Sequence, residues 1–419
     1  MNAQTNHNRE ARNILIQNDR GGYTVPTAGL YPYQWNWDSA IAAFGFATFD
    51  ISRAWQELET LFSGQWEDGM VPHIIFHKPD PSYFPGPDVW HCSGPIASTG
   101  ITQPPVAATM ARKVYEQDKA AAAPILKKLF PKILAWHRWF IQWRSDDQNA
   151  ICITHPWESG RDNAPEWDAA LKNMTAEGVG EYTRRDTSHV DPSMRPTKFD
   201  YDRYIWLVQQ GASLNWDQQK LLEQNPFRMA DPTTTFLLLR AHKDLLALGT
   251  ELGLDVSGIQ DDIALLTKGA ESLWNPEIGS YDARNAHTGA FAGCQSSASF
   301  LCWFAGIENA TQLEKLDEAF GNTNHPIASH PTTSEHYDSR RYWRGPTWAF
   351  MNMMIGIGLA DQGHKEQAER LRAATADLIR SFGFAEYFDS TTGEAAGGQS
   401  FTWTAAVWLA WINPNERRD

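Results

Sequence analysis

Cysteine is scarce in this chain of 419 residues. The four cysteines, Cys92, Cys152, Cys294 and Cys302, show no CxxC spacing, which argues against a zinc knuckle or a disulfide framework. Clustered basic residues are missing as well. The balance of 36 Lys and Arg against 50 Asp and Glu leaves a net charge of −14, and no basic patch is available to neutralise phosphates, so no nucleic-acid partner is expected. Long apolar runs are absent. The longest, Trp348 to Ala360, contains Asn352 and is too short for a membrane span. The opening stretch MNAQTNHNREARNIL is polar and lacks the apolar core of a signal peptide. No fixed-period repeat or low-complexity linker is found. These absences point to a cytoplasmic protein whose partner is a small molecule. They leave its oligomeric state open.

Aromatic residues are abundant: 19 Trp, 12 Tyr and 20 Phe. Most Phe fit a bulky core, which the 42% hydrophobic content supports. Trp and Tyr carry polar tips that need partners, and many stand beside polar residues, as in YPYQWNWD, HPWESGRD and YWRGPTW. Flat apolar faces next to hydrogen-bonding groups suit a sugar ring, whose C–H face stacks while its hydroxyls find polar side chains.

Helical periodicity recurs along the chain. It predicts helices over 38–62, after Pro104–Pro105, over 125–143, from Asp231–Pro232 to Leu248, and near 258–274, 294–306, 311–320, 347–361, 364–381 and 401–412. Asp231 followed by Pro232 reads as an N-cap and first helical turn. Residues 364–381 are amphipathic. Convincing strands are few. About a dozen helices without an evident boundary suggest one all-α domain spanning 1–419, either a solenoid of helix pairs or a closed (α/α)6 toroid. Inner helices of a toroid are apolar nearly all round and outer ones amphipathic. The run 347–361 reads as inner and 364–381 as outer, which favours the toroid. Residues 170–200 are polar and aperiodic. A loop of that length in a compact domain is either functional or disordered, and its place after HPWESGRDNAP makes a lid over the site the functional reading.

Four segments concentrate Trp, Gly and carboxylates: YPYQWNWDSA (31–40), HPWESGRDNAPEWD (155–168), YWRGPTWAFMN (342–352) and GFAEYFDSTTGEAAGGQSFTWTAA (383–406). Hydrolysis of a glycoside with inversion needs one carboxylic acid to protonate the leaving oxygen and one carboxylate to activate water on the opposite face. The acid needs a raised pKa, from apolar or like-charged surroundings. Asp38, Glu158, Asp162, Asp168, Glu386 and Asp389 are the candidates. Asp162 reads as a loop residue near Trp157 and Trp167, or else a helix cap. Glu386 reads as sitting in an apolar cradle of Phe384, Tyr387 and Phe388, or else as a buried ion-pair partner.

The four segments, in order, resemble glycoside hydrolase family 63, and within it the bacterial 2-O-α-glycosylglycerate hydrolases that cleave mannosylglycerate and glucosylglycerate. The similarity runs from about Tyr31 to Ala406 through QWNWD, WESGRDNAPEWD, YWRGPTW and GFAEYFDSTTGE. It implies an (α/α)6 toroid, inversion of configuration, no metal and no cofactor. Carried over by motif, Asp162 matches the general acid and Glu386 the general base. Tyr31, Trp35, Trp37 and Asp38 match the sugar-subsite wall, where Asp38 accepts hydrogen bonds from ring hydroxyls. Trp343, Arg344, Gly345 and Trp348 match the segment beside the base, and Trp348 is expected in the pocket lining.

SYFPGPDVWH and TGITQPP resemble the short-aglycone members and nominate Tyr83 and Gln103 as pocket residues. A glycerate aglycone is anionic and needs a cation. Arg195 and Tyr201, with Tyr342 assisting, are the candidates, and Arg184, Arg185 and Arg203 are rivals, although Arg203 can pair with Asp200 or Asp202. His73 and His77 are four apart, as zinc ligands on a helix would be. Their segment VPHIIFHKPD is β-branched and ends in Pro, so a metal site there is not expected. His155 is expected to be a local hydrogen-bond partner. A non-catalytic sugar-binding protein, a lyase or epimerase on a similar toroid, and an oligosaccharide or disaccharide α-glucosidase of the same family are the alternatives.

Overall fold

A computed structural model describes residues 3–92 and 94–413. Six inner helical segments close into a ring: Asn36–Phe46, Ala107–Tyr115, Pro232–Leu252, Ser297–Cys302, Ala349–Asp361 and Thr402–Val407. Each packs on the next, and the last returns to the first. Every inner segment has an outer partner packed against it. The partners are, in the same order, Ile51–Ser63, Lys119–Arg144, Ile259–Glu271, Ala310–Asn322, Lys365–Phe382 and the early helix Ala3–Asn18. This is the (α/α)6 toroid, not the open solenoid.

The division between rings follows from side-chain pattern. In Ala349–Asp361 nearly the whole helix is buried, from Ala349 through Gly356 and on to Gly358 and Leu359. In Lys365–Phe382 the buried positions are Ala368, Leu371, Thr375, Ala376, Leu378 and Ile379, the single stripe of a helix with one face on water.

Caps decide where several helices begin. Asp231 accepts hydrogen bonds from the Thr233 and Thr234 N–H groups, with Pro232 in the first turn. Asp50 caps Ile51–Ser63 through the Arg53 N–H, and this splits the expected helix over 38–62 into two. Asp118 caps the long outer helix through the Ala121 N–H, so that helix starts at Lys119 and not at Ile125, with Pro124 and Pro131 inside it. The expected helix over 294–306 is replaced by the short 3-10 segment Ser297–Cys302. Two long helices were not expected, nor were short ones such as Gln218–Gln224. Ala3–Asn18 carries few apolar residues, and Lys198–Ser213 begins inside the polar stretch, at a capping box of Thr197 and Asp200.

Strand pairs of two residues lie in the loops. Gln34–Trp35 pairs antiparallel with Ile74–Ile75, Gln34 opposite Ile75 and Trp35 opposite Ile74. Tyr387–Phe388 pairs with Ala395–Ala396. Gln34–Trp35 and Met229–Ala230 run into the N-termini of inner helices, and so tie the loops to the ring. No helix among the described residues is long and apolar enough to cross a membrane.

The fully buried Glu57 of the first outer helix locks the loop before the ring to that helix. Its carboxylate accepts hydrogen bonds from Thr24 N–H and Oγ1, Gln34 Nε2, Ser39 Oγ and Arg53, whose Nη2 is 2.6 Å away. Removing one partner of a buried ion pair leaves an uncompensated charge. Arg53→Met is expected to lower the stability by about 3–5 kcal/mol, read as a fall in the denaturant midpoint, while Arg53→Met combined with Glu57→Leu recovers part of the loss.

Candidate active site

A cavity of about 880 Å³, counting its open mouth, is lined by residues of the first, second and fourth segments, and by Tyr342 of the third. Trp35 reaches it because the Gln34–Trp35 strand is pinned to Ile74–Ile75. The chain then enters the first inner helix, which presents Trp37 and Asp38 from its opening turn. Gln103, also in the wall, accepts a hydrogen bond from the Trp37 N–H at 3.2 Å and so fixes that turn.

Of six candidate acids, three face the cavity: Asp38, Asp162 and Glu386. The others have structural partners. Glu158 holds Arg144 at 2.9 Å together with Thr154, Asp168 forms an ion pair with Arg344, and Asp389 accepts from Ser339 and from the Thr391 and Thr392 N–H groups.

Asp162 is set by its neighbours. The 3-10 turn Pro156–Ser159 ends at Gly160, whose φ is +68°. A Cβ at Gly160 would lie 2.4 Å from the Trp37 ring, so only glycine lets that ring rest on the backbone beside the acid. Arg161 turns the other way, into a buried network with Glu166 at 2.6 Å, Asp231 at 3.1 Å, Thr233 at 2.8 Å and Ser296 at 3.2 Å. The Tyr204 hydroxyl donates to the Asp162 carbonyl at 2.7 Å, and Asn163 accepts from the Trp343 N–H at 2.9 Å. The Asp162 carboxyl opens onto the cavity. Burial is the largest influence on it and, with the negative charges of Glu386 and Asp186, outweighs the Arg195 cation and lifts its pKa to about 7. Asp38 is also raised well above the ordinary carboxylate range, by burial and then by the Glu386 charge. Its Oδ1 is buried with no protein partner.

Glu386 has polar company, not the apolar cradle expected of it. Its carboxylate accepts from Arg195 Nη2 at 2.7 Å and Nη1 at 3.3 Å, from the Tyr31 hydroxyl at 2.9 Å and from the Gly398 N–H at 2.7 Å. The backbone beside it is braced by Glu386 N–H donating to the Gly398 carbonyl at 2.7 Å and by Trp403 Nε1 donating to the Glu386 carbonyl at 3.0 Å. Gly397, at φ +69°, leaves no space for a Cβ, which would stand 2.3 Å from Glu386 Oε2.

The other expected site residues divide. Tyr31, Trp35, Trp37, Tyr83, Gln103, Arg195, Tyr201 and Tyr342 line the cavity. Trp343 and Trp348 do not. Their rings stack on each other at 4.0 Å, both 1% exposed, and Trp348 packs on Tyr387 and donates to the Tyr342 carbonyl. They back the wall and leave Tyr342 to form it. Arg203 pairs with neither Asp200 nor Asp202; it donates to the Leu171 and Phe199 carbonyls. Within 170–200, Arg185, Asp186, Arg195 and Pro196 line the cavity. Arg185 crosses to the opposite rim, donating to the Gly29 carbonyl, Asp80 and Ser82.

Sequence reading missed Asp186, hidden in the polar stretch, and the lining roles of Trp90, Phe401 and Trp403. His73 lines the cavity beside Trp157, whereas His77 contacts Gln34 and Tyr23, with strand Ile74–Ile75 between the two histidines. Among the described residues, no group of three His, Cys, Asp or Glu is placed to hold a metal. His155 accepts from the Trp157 N–H through Nδ1, and its Nε2 meets the Tyr204 carbonyl at 3.0 Å, so it is a neutral structural imidazole; burial pushes its pKa down to about 4.

Residues 31–404 match the family model for the mannosylglycerate hydrolase MGH1-like glycoside hydrolase domain. This chain belongs to that family. It is 44% identical over 411 residues to mannosylglycerate hydrolase MGH2 of Selaginella moellendorffii, covering 96% of this chain and 84% of that protein. It is 32% identical over 435 residues to the glucosylglycerate hydrolase of Mycolicibacterium hassiacum, covering 95% and 96%. The crystal structure of the GH63 mannosylglycerate hydrolase of Thermus thermophilus in complex with Tris and D-glycerate superposes with a TM-score of 0.94 at 41% identity, covering 97% of this chain and all of that one. Membership in this glycoside hydrolase family agrees with the ring of helices and the acid-lined cavity.

The raised Asp162 pKa has a stability consequence. A carboxyl whose folded pKa stands above its unfolded value favours folding at low pH, and this contribution is lost as pH rises from about 4 through about 7. Asp162→Asn is therefore expected to be more stable than the parent at pH 8, by about 1–3 kcal/mol given the solvent that the cavity admits. The gap should shrink steadily as pH is lowered to 5. Thermal melts across that range test the sign.

Proposed function

We propose that this chain is an inverting glycosidase that hydrolyses a 2-O-α-glycosylglycerate to the free sugar and glycerate. The observation that carries the reading is the contrast between two carboxyls on one cavity. Asp162 keeps its proton to about pH 7 through burial, and Glu386 is met only by donors. That is the division of labour an acid–base pair requires.

Asp162 donates its proton to the bridging oxygen as the glycosidic bond breaks. Glu386 takes a proton from the water that attacks the opposite face of the anomeric carbon. Trp35, Trp37 and Tyr31 supply aromatic faces for the ring, and Asp38 in the cavity wall accepts from ring hydroxyls. At the aglycone end, Arg195 is the cation for the glycerate carboxylate, with Tyr83, Gln103, Tyr201 and Tyr342 around it. Residues 170–200 act as the lid, and Arg185 is its contact with the far rim. The chain works as one catalytic domain. Its four free thiols suit a cytoplasmic location.

Both mannosylglycerate and glucosylglycerate are substrates to assay, since the names of the relatives include both. Asp162→Asn and Glu386→Gln should each lower kcat by about 10²–10⁴-fold, with the fold retained by circular dichroism. Activity should fall as pH rises through about 7, where Asp162 loses its proton. NMR of the first-formed sugar should give the β-anomer; an α-anomer would remove these roles from the pair.

A further inference from the structure

An ionised carboxylate offers about four acceptor sites. Four donors already occupy those of Glu386, and two of them come from Arg195. A base that accepts a proton from water needs one of these sites free. The Gly398 N–H is locked by the backbone brace between Glu386 and Gly398. The Tyr31 hydroxyl is held by both partners, accepting from Arg195 at 2.8 Å and donating to Glu386 at 2.9 Å.

Arg195 is held differently. It lies between the 3-10 turn Pro192–Met194 and the helix that starts at Lys198. Its guanidinium lies over the Tyr342 ring at 4.7 Å, a face that attracts a cation without fixing its position. Its Nε is buried and has no partner. The side chain is thus engaged with Glu386 on one edge and has an unused donor on another.

We infer that Arg195 is a clamp on Glu386 that the substrate's own anion releases. This rests on the glycosylglycerate reading above. The aglycone carboxylate presents to the guanidinium the same two-oxygen fork that Glu386 presents. One Arg–carboxylate pair replaces another, and Glu386 is left as an ionised carboxylate without its cation, which strengthens its pull on the proton of the water. Glu386 keeps its bonds to Tyr31 and Gly398 and gains an open site for the water. The water oxygen then bonds to the anomeric carbon and its proton passes to Glu386. The glycosidic bond breaks as Asp162 protonates the departing oxygen. A neutral aglycone cannot compete for the guanidinium and leaves the base clamped. The anion is therefore needed for the chemical step as well as for binding, and an oligosaccharide that fits the sugar subsite is still turned over poorly.

The test compares two substrates that differ only in the anion: the 2-O-α-glycosylglycerate and the matching 2-O-α-glycosylglycerol, in which CH2OH replaces the carboxylate. With the unsubstituted chain, kcat on the glycosylglycerol should be about 100-fold lower, beyond any rise in KM. Arg195→Met should reverse part of this, hydrolysing the glycosylglycerol with a higher kcat than the parent does. Equal kcat on both substrates with only KM changed, or an Arg195→Met variant no faster than the parent on the glycosylglycerol, overturns the clamp and assigns Arg195 to binding alone. Should Arg195→Met fail to fold, the kcat ratio of the parent decides by itself. Failure of the parent to hydrolyse either substrate overturns instead the functional reading on which the clamp rests.

Discussion

Of Asp162 and Glu386, two of the carboxyls on one cavity, only Glu386 has a cation against it. Glu386 is bound by Arg195 through both oxygens, whereas Asp162 feels Arg195 at a distance and is governed by burial. In the proposed mechanism this asymmetry separates two chemically similar groups into a proton donor and a proton acceptor. The other charges near the site respect it. Arg161, adjacent to Asp162 in sequence, is drawn away by Glu166 and Asp231, so it does not neutralise the acid. Arg344 is paired with Asp168, and Arg185 with Asp80.

The toroid delivers this arrangement by bringing distant stretches of chain to one mouth. Asp38 opens the first inner helix, Asp162 follows the 3-10 turn Pro156–Ser159, and Glu386 precedes the strand pair before the last inner helix. Each is steadied by a side chain bonded to the backbone at or next to it: Gln103 to the Trp37 N–H, Tyr204 to the Asp162 carbonyl, and Trp403 to the Glu386 carbonyl. The layer of Trp343 and Trp348 behind the wall adds rigidity without touching the cavity.

Local signals were readable wherever one residue type decides the outcome. Asp231–Pro232 announced its helix, and the stripe of 364–381 marked an outer helix. Motif similarity singled out Asp162 and Glu386, which both face the cavity. Features that depend on partners far along the chain were not readable. Composition could not say that Glu158 and Asp168 answer arginines, or that Glu386 meets Arg195 191 residues away. The segment Ser297–Cys302 lies within a stretch of helical apolar spacing, yet it folds as a short, fully buried 3-10 turn. Ala3–Asn18 carries little apolar stripe of its own and is fixed by docking on the last inner helix.

That docking has a consequence for the chain as it is made. Trp408 Nε1 donates to Asn8 Oδ1 at 2.7 Å and Asn18 Nδ2 donates to Thr402 Oγ1 at 3.0 Å, contacts across nearly the whole sequence. The apolar first inner helix must wait for Thr402–Val407 to emerge from the ribosome before its second neighbour in the ring exists. At ordinary elongation speeds the delay is roughly 20–70 s. During that time one flank of Asn36–Phe46 has no native cover, which makes the nascent chain, more than the finished enzyme, the form most exposed to aggregation and most in need of a chaperone.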